Sequence, residues 1–149
     1  MNCQRFEGRH VIVTGAGRGI GRATAVRFAS EGAEGLRRGR TLASREETAE
    51  MTPAAGGRAY VETGDVATPA DVTRVVGSAL QRWQRVDVLV NNAGVDDATP
   101  FLDIAEANWD RVMDTNLKGA FLMSQQVARH MVERGGGGVI LHNASIDAT

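Results

Sequence analysis

Eight residues, Thr14-Gly15-Ala16-Gly17-Arg18-Gly19-Ile20-Gly21, lie between an apolar run and a helix-forming stretch, and their types suit them to hold an anion. A glycine-rich turn placed this way lets backbone come close to a ligand. It presents N–H groups and the positive end of the following helix to a diphosphate. The spacing is T-G-x-x-x-G-x-G, through Gly15, Gly19 and Gly21. It is not G-x-G-x-x-G, because position 20 is Ile and position 22 is Arg. A connecting turn without a ligand is the alternative, and the strand before and helix after weigh against it. Three further segments arrive in order: Gly64-Asp65-Val66, Asn91-Asn92-Ala93-Gly94 and Asn143-Ala144-Ser145. Each alone is ordinary turn chemistry. Each also follows a predicted strand, and ligands of open parallel sheets bind beyond the carboxyl ends of the strands. Together the four segments predict one crevice that accepts a dinucleotide.

The elements that must position these segments alternate between β-rich runs and helix-length stretches. HVIVT at 10–14, RAYVE at 58–62, VDVLV at 86–90 and GVILH at 138–142 are the predicted strands. HVIVT and VDVLV are almost continuously apolar, as strands covered on both faces should be. EGLRRGR at 34–40 has two glycines, three arginines and only Leu36 to bury, so it is a strand by position alone. The first helix is expected over Gly19–Ser30, with Gly21, Ala25, Phe28 and Ala29 on one face and Gly32 as its stop. A short helix over Ser44–Met51 and a TPAAGG loop follow. A third helix runs over Pro69–Trp83, with Thr68 as N-cap and Pro69 at its first position. The longest helical pattern spans Ile104 to Arg134, through Trp109, Val112, Leu117, Ala120, Phe121, Ser124, Val127 and Met131. The Trp109, Phe121 and Met131 stripe reads as core or subunit contact. Gly135 to Gly138 then breaks the chain.

Size and charge narrow the function classes. A chain of 149 residues suits one domain with an apolar core, here residues 1–149 as a dinucleotide-binding domain. A formal charge of -1 gives no broad basic field, so nucleic acid and acidic membrane are not expected partners. The single cysteine, Cys3, cannot form an internal disulfide, and no apolar run approaches the length of a membrane helix. A cytoplasmic location is the expectation.

At this point the sequence resembles the short-chain dehydrogenase/reductase family, through TGAGRGIG, GDV, NNAG, DTNLKGAF and VILHNAS, over nearly the whole chain. The resemblance implies a Rossmann-type three-layer α/β sandwich around a parallel sheet, and oxidoreduction of an alcohol or ketone with NADP or NAD. It implies cofactor contacts from Gly15, Arg18, Gly19, Ile20 and Gly21 of the turn, with Ile20 near the nicotinamide. Asp65 would bind the adenine amino group, Val66 would pack beside the adenine, and Asn92, Ala93 and Gly94 would line the cofactor. Asn116 matches the family's helix asparagine, which holds a proton-relaying water, and Ser145 its substrate-orienting serine. The residues themselves put the Asn116 amide on the apolar stripe of the long helix, where a polar group needs a reason, with the cap of a local kink as the alternative; for Ser145 the alternative is an ordinary loop serine.

The family's Tyr-x-x-x-Lys has no counterpart here. The only tyrosine is Tyr60, in another predicted strand, and the only lysine is Lys118. The family's sheet also continues the Rossmann strand order 3-2-1-4-5 with further strands that this sequence does not supply. The expectation is a chain truncated before the tyrosine motif, with a sheet incomplete at its C-terminal end and no turnover by itself. A non-catalytic dinucleotide-binding module is the alternative. The complete protein is expected to take a small-molecule alcohol or ketone and to form a dimer or tetramer.

For the cofactor, an acid at the end of the second strand selects NAD and arginine selects NADP. Gly39 holds the acid position among Arg37, Arg38 and Arg40, which favours NADP slightly, with Arg40 as the contact; a solvated arginine edge is the alternative. A Ser–His hydrolase from His142 and Ser145 lacks an evident orienting acid. Asp96 and Asp97 are neighbours in a loop and are expected to face water in different directions.

Overall fold

The computed structural model of the chain describes residues 4–38 and 58–145. Five strands form one parallel sheet: β1 (His10–Val13), β2 (Glu34–Arg38), β3 (Arg58–Glu62), β4 (Val88–Asn91) and β5 (Val139–His142). Their order is β3-β2-β1-β4-β5, so the direction of winding reverses between β1 and β4. Every pairing is parallel, with Ile12 beside Leu36 on one flank and Leu89 on the other.

Alternation of side chains along the central strands builds two cores from one sheet. Ile12 and Leu89 point to one face, where they meet α2 (Pro69–Trp83) and α4 (Gly119–Arg134) through Val72, Val75, Val76, Ala79, Trp83, Met123, Val127 and Met131. Val11, Val13, Val88 and Val90 point to the other, against Ala25 of α1 (Gly19–Ser30), with Phe6 and Phe28 packed at the margin. Helix on sheet on helix is the three-layer sandwich expected from the sequence. Burying an aliphatic side chain as fully as Ile12 or Leu89 contributes about 2 kcal/mol each.

α1, α2 and β3 have the bounds the sequence predicts. Thr68 is the N-cap residue of α2, but its side chain makes no capping hydrogen bond. β2 forms despite its poor composition, because backbone bonds to β1 and β3 on both sides need no particular side chain. β4 starts two residues later than VDVLV suggests, although Asp87 N–H already donates to His10 O at 2.8 Å and Val139 N–H to Asp87 O at 2.9 Å. The expected helix at Ser44–Met51, the TPAAGG loop, Gly39 and Arg40 lie outside the described residues.

The long helical pattern is interrupted. After a one-turn 3₁₀ segment (Phe101–Asp103), α3 (Glu106–Met113) runs into a π segment (Asp114–Lys118) and then α4. The wider π turn resets the helical register, so residues that share a stripe on a uniform 3.6-residue period do not share one here. Buried positions of α4 are Gly119, Met123, Val127 and Met131. Trp109 and Phe121 are more than half exposed, which removes them from this chain's core. Gly135, Gly136 and Gly137 then turn the chain with three successive positive φ angles of 73°, 80° and 71°. β5 is the sheet's edge, with Val139 and Leu141 each about half exposed.

Candidate dinucleotide-binding site

The glycine turn is built around two side chains from its neighbours. Thr14, at the end of β1, is 1% exposed. Its hydroxyl donates to Val90 O at 3.3 Å and accepts the N–H groups of Asn92 and Ala93, both at 2.9 Å. This ties the segment after β4 to the turn after β1. Asn92 Nδ2 then donates to Thr14 O at 3.1 Å and Gly15 O at 3.4 Å. The same nitrogen explains two glycines. A Cβ at Gly15 would lie 3.0 Å from it and 2.8 Å from Ala93 Cα; one at Gly21 would lie 2.3 Å from it and 2.5 Å from Gly15 O.

Gly19 is different in kind. Its φ of +53° favours glycine, yet a Cβ built there meets nothing within 4 Å. That open side lies at the start of α1, where Arg18 is the N-cap residue in extended conformation, no side chain caps the helix and the first turn holds no acid. Backbone donors and the positive helix end therefore keep their capacity for an anion. Arg22, on the next turn, braces the loop by donating to Gly17 O from Nε and Nη2 at 3.1 and 2.7 Å. Ile20 is 68% exposed, an apolar side chain left at the rim.

Two amide links continue the arrangement across the sheet. Asn91 Nδ2 donates to Ser124 Oγ at 2.9 Å and lies 3.4 Å from His142 Nδ1, joining β4 to α4 and β5. Asn143 Nδ2 donates to Asn92 Oδ1 at 2.9 Å. On the other flank Val66 is buried against α4, where a Cβ at Gly119 would strike Val66 Cγ2 at 2.5 Å. Asp65 is exposed beside it, and its Oδ1 accepts Ala67 N–H at 3.0 Å.

Asn116 is not on a buried stripe; it is exposed, in the π segment. Its Oδ1 accepts Val95 N–H at 2.8 Å and its Nδ2 donates to Val95 O at 2.9 Å, so it clamps the residue after Gly94. Arg111 of α3 adds a second clamp, donating to Asp96 O at 3.2 Å and Asp97 Oδ2 at 3.1 Å. Asp97 consequently does not face water. Thr99 hydrogen bonds, through its side chain and backbone N–H, and Arg111 hold its carboxyl below the usual carboxylate range, against the opposing effect of burial.

Ser145 is exposed just past β5, and the His142 ring is directed at Asn91. Tyr60 packs under Arg82, whose Cζ is 3.9 Å from the ring centroid, and beside Trp83; Lys118 pairs with Asp114 at 3.0 Å. The structure thus joins Gly15, Gly21, Asn92 and Ala93 directly; Asn116 is tied to Val95, the residue after Gly94, and a Cβ built at Gly94 would lie 3.5 Å from Asn116 Oδ1. Asp65 follows β3 and Ser145 follows β5, the two outer strands of the sheet. Sequence reasoning missed the supporting roles of Thr14, Arg22, Asn91, Arg111, Ser124 and Asn143. A signal existed for three of them: Thr14 and Asn91 are polar residues closing apolar strands, and Ser124 is polar within an apolar helical pattern.

No helix among the described residues is long and apolar enough to cross a membrane, and no cluster of three or more His, Cys, Asp or Glu among them could hold a metal ion. The family profile described as short chain dehydrogenase matches residues 9–148. Among curated proteins the chain is similar to a glucose 1-dehydrogenase of Gluconobacter oxydans, 38% identical over 95% of this chain and 54% of the relative. A sorbitol dehydrogenase of Cereibacter sphaeroides is 39% identical over the same shares, 95% and 54%. Among solved structures, a putative short-chain dehydrogenase/reductase from Burkholderia xenovorans is 42% identical with a TM-score of 0.89, over 95% of this chain and 57% of that one. A short-chain type dehydrogenase/reductase from Mycobacterium marinum is 32% identical with a TM-score of 0.90, over 94% and 57%. The chain spans about half the length of the curated relatives it matches. With its motifs, its strand order and this profile match in agreement, the chain belongs to the short-chain dehydrogenase family.

Proposed function

We propose that residues 1–149 form the dinucleotide-binding part of an NAD(P)-dependent oxidoreductase that interconverts an alcohol and a ketone by hydride transfer. The observation that carries this reading is the uncapped start of α1 beside the open side of Gly19, backed by a turn that Asn92 holds from beneath. Gly15, Arg18, Gly19 and Gly21 receive the diphosphate, and Ile20 lies near the nicotinamide. Asp65 and Val66 serve the adenine on the β3 side, and Asn92, Ala93 and Gly94 line the path toward β4 and β5. When bound, the nicotinamide supplies or accepts the hydride. Asn116 keeps a second lone pair on Oδ1 and a second hydrogen on Nδ2 beyond its Val95 bonds, which leaves capacity for one water. Ser145 orients the substrate oxygen.

Arg40 and its neighbouring arginines favour NADP over NAD, and the names of the two curated relatives make polyols and sugars the first substrates to try. The exposed Trp109, Leu117 and Phe121 support assembly of the complete protein as a dimer or tetramer. Within these 149 residues no Tyr-x-x-x-Lys supplies an acid/base, so this chain binds the dinucleotide without turning it over. Titration of the purified chain with NADPH and NADH tests the proposal. Enhanced, blue-shifted nicotinamide fluorescence, stronger for NADPH, with no oxidation over a panel of ketones, supports it. Absence of binding for both nucleotides refutes it, and turnover refutes the non-catalytic part.

A further inference from the structure

We propose that Asn143 is a positioning residue of the dinucleotide site. Its amide, on the segment that also carries Ser145, sets which way the Asn92 amide faces and so holds the glycine turn in its binding shape. The inference rests on the function proposed above.

A primary amide fits its space either way round, and its hydrogen-bond partners decide between the two orientations. Asn92 has two acceptors at one end, Thr14 O at 3.1 Å and Gly15 O at 3.4 Å, which demand the NH₂ group. Turning the amide over would set an oxygen against both carbonyls, directly under the glycine turn. The other end, Oδ1, therefore needs a donor, and Asn143 Nδ2 provides it at 2.9 Å. Asn143 is itself fixed, because its backbone N–H donates to Asn91 O at 2.9 Å and continues the β4–β5 ladder by one residue. A chain of amides thus runs from the end of β5 over the end of β4 to the end of β1. The space for its last member exists because positions 15 and 21 carry no Cβ. The hydrogen bonds of Asn143 go to Asn91 and Asn92 and not to the turn itself, so it acts through Asn92.

Replacing Asn143 by two different residues separates this role from simple packing. Asn143→Asp keeps the shape but, while ionised, turns an acceptor toward Asn92 Oδ1 and favours the reversed amide. Asn143→Leu removes the donor without favouring reversal. Because Asn143 is exposed, both variants are expected to fold, which circular dichroism and thermal unfolding check. The probe is NADP⁺, titrated by calorimetry, with the unmodified chain, which carries His142 alongside, as reference at each pH. At about pH 7.5 Asn143→Asp should bind roughly tenfold more weakly, the order of one directional hydrogen bond, and Asn143→Leu only a few-fold more weakly. Toward about pH 4.5 the carboxyl of Asn143→Asp gains a proton and can donate again, so its deficit should shrink while that of Asn143→Leu stays constant. Equal deficits for the two variants at every pH, or binding at the reference level by both, would overturn the inference. Should Asn143→Asp not fold, an unchanged affinity in Asn143→Leu overturns it and a few-fold loss supports it. If the unmodified chain binds no NADP⁺, the underlying function fails, a result distinct from any of these.

Discussion

Where the strands end, Thr14, Asn92 and Asn143 are joined by neutral hydrogen bonds; where they begin, Asp87 and Glu31 gather arginines. Asp87 is 5% exposed and takes hydrogen bonds from Arg85 and from His10 N–H, with Arg9 and Arg134 at 3.6 and 3.7 Å. Burial pushes its carboxyl up, but Arg85, the His10 N–H and Arg134 outweigh this and hold it below the usual range. Glu31 is likewise held by Arg5 and Arg27. The contrast separates two tasks. Charges that satisfy one another fasten the amino-terminal end, whereas the glycine turn is stiffened by the neutral Thr14 and Asn92 and by Arg22, which donates to a turn carbonyl, so that no acid among the described residues occupies the backbone donors at the start of α1.

If the division is real, damage to the amino-terminal end should lower stability while leaving the affinity of folded molecules for NADPH intact. The largest such effect is expected for Asp87→Ala, which removes a buried carboxylate and leaves the His10 N–H and the part-buried Arg85 and Arg134 without their acceptor. About 3 kcal/mol of unfolding free energy should be lost in urea denaturation. A matching loss of NADPH affinity below the unfolding transition would break the comparison. At the other end, Thr14→Val leaves the Asn92 and Ala93 N–H groups without their acceptor and should cost about 2 kcal/mol together with a loss of nucleotide affinity.

The Glu31 contribution shows as a pH dependence. The Arg5 hydrogen bond, against burial and assisted by Arg27, lowers its carboxyl from 4.5 to about 2. A carboxylate lowered in the folded state gives stability that is whole above the unfolded value and is lost as pH falls to the folded one. Thermal unfolding between pH 5 and 2 should therefore decline less steeply in Glu31→Gln, with nucleotide affinity at neutral pH unchanged. Smallest of all, Lys118→Ala breaks only an exposed pair with Asp114 and should change stability by less than about 0.5 kcal/mol.

Much of this was legible because the buried strands read directly as sequence. Val11 to Val13 and Val88 to Val90 are covered on both faces, so no alternation confuses them, and Gly32, just past Ser30, marks the end of α1. The π segment was not legible. Trp109 and Leu117 fit a helical period on paper, but the wider turn at Asp114–Lys118 changes their register relative to Met123 and Val127, while Phe121, two residues before Met123, lies on another face of α4. The motifs named most of the turn's contacts, yet not the amide of Asn143, whose role depends on β5 lying beside β4. Nor could neighbouring acids 96 and 97 announce that Arg111, fourteen residues after Asp97, would claim one of them.

The two tryptophans are placed so differently that the chain carries its own pair of optical probes. Trp83 is 8% exposed, stacks near His10 and Tyr60, and donates from Nε1 to Glu34 at 3.1 Å, whereas Trp109 is 56% exposed on α3. Acrylamide should quench the red-edge emission of Trp109 and spare the blue component. In Trp109→Phe the remaining signal reports on the interior beneath β1 and β3, and in Trp83→Phe on the helix that leads into Asn116.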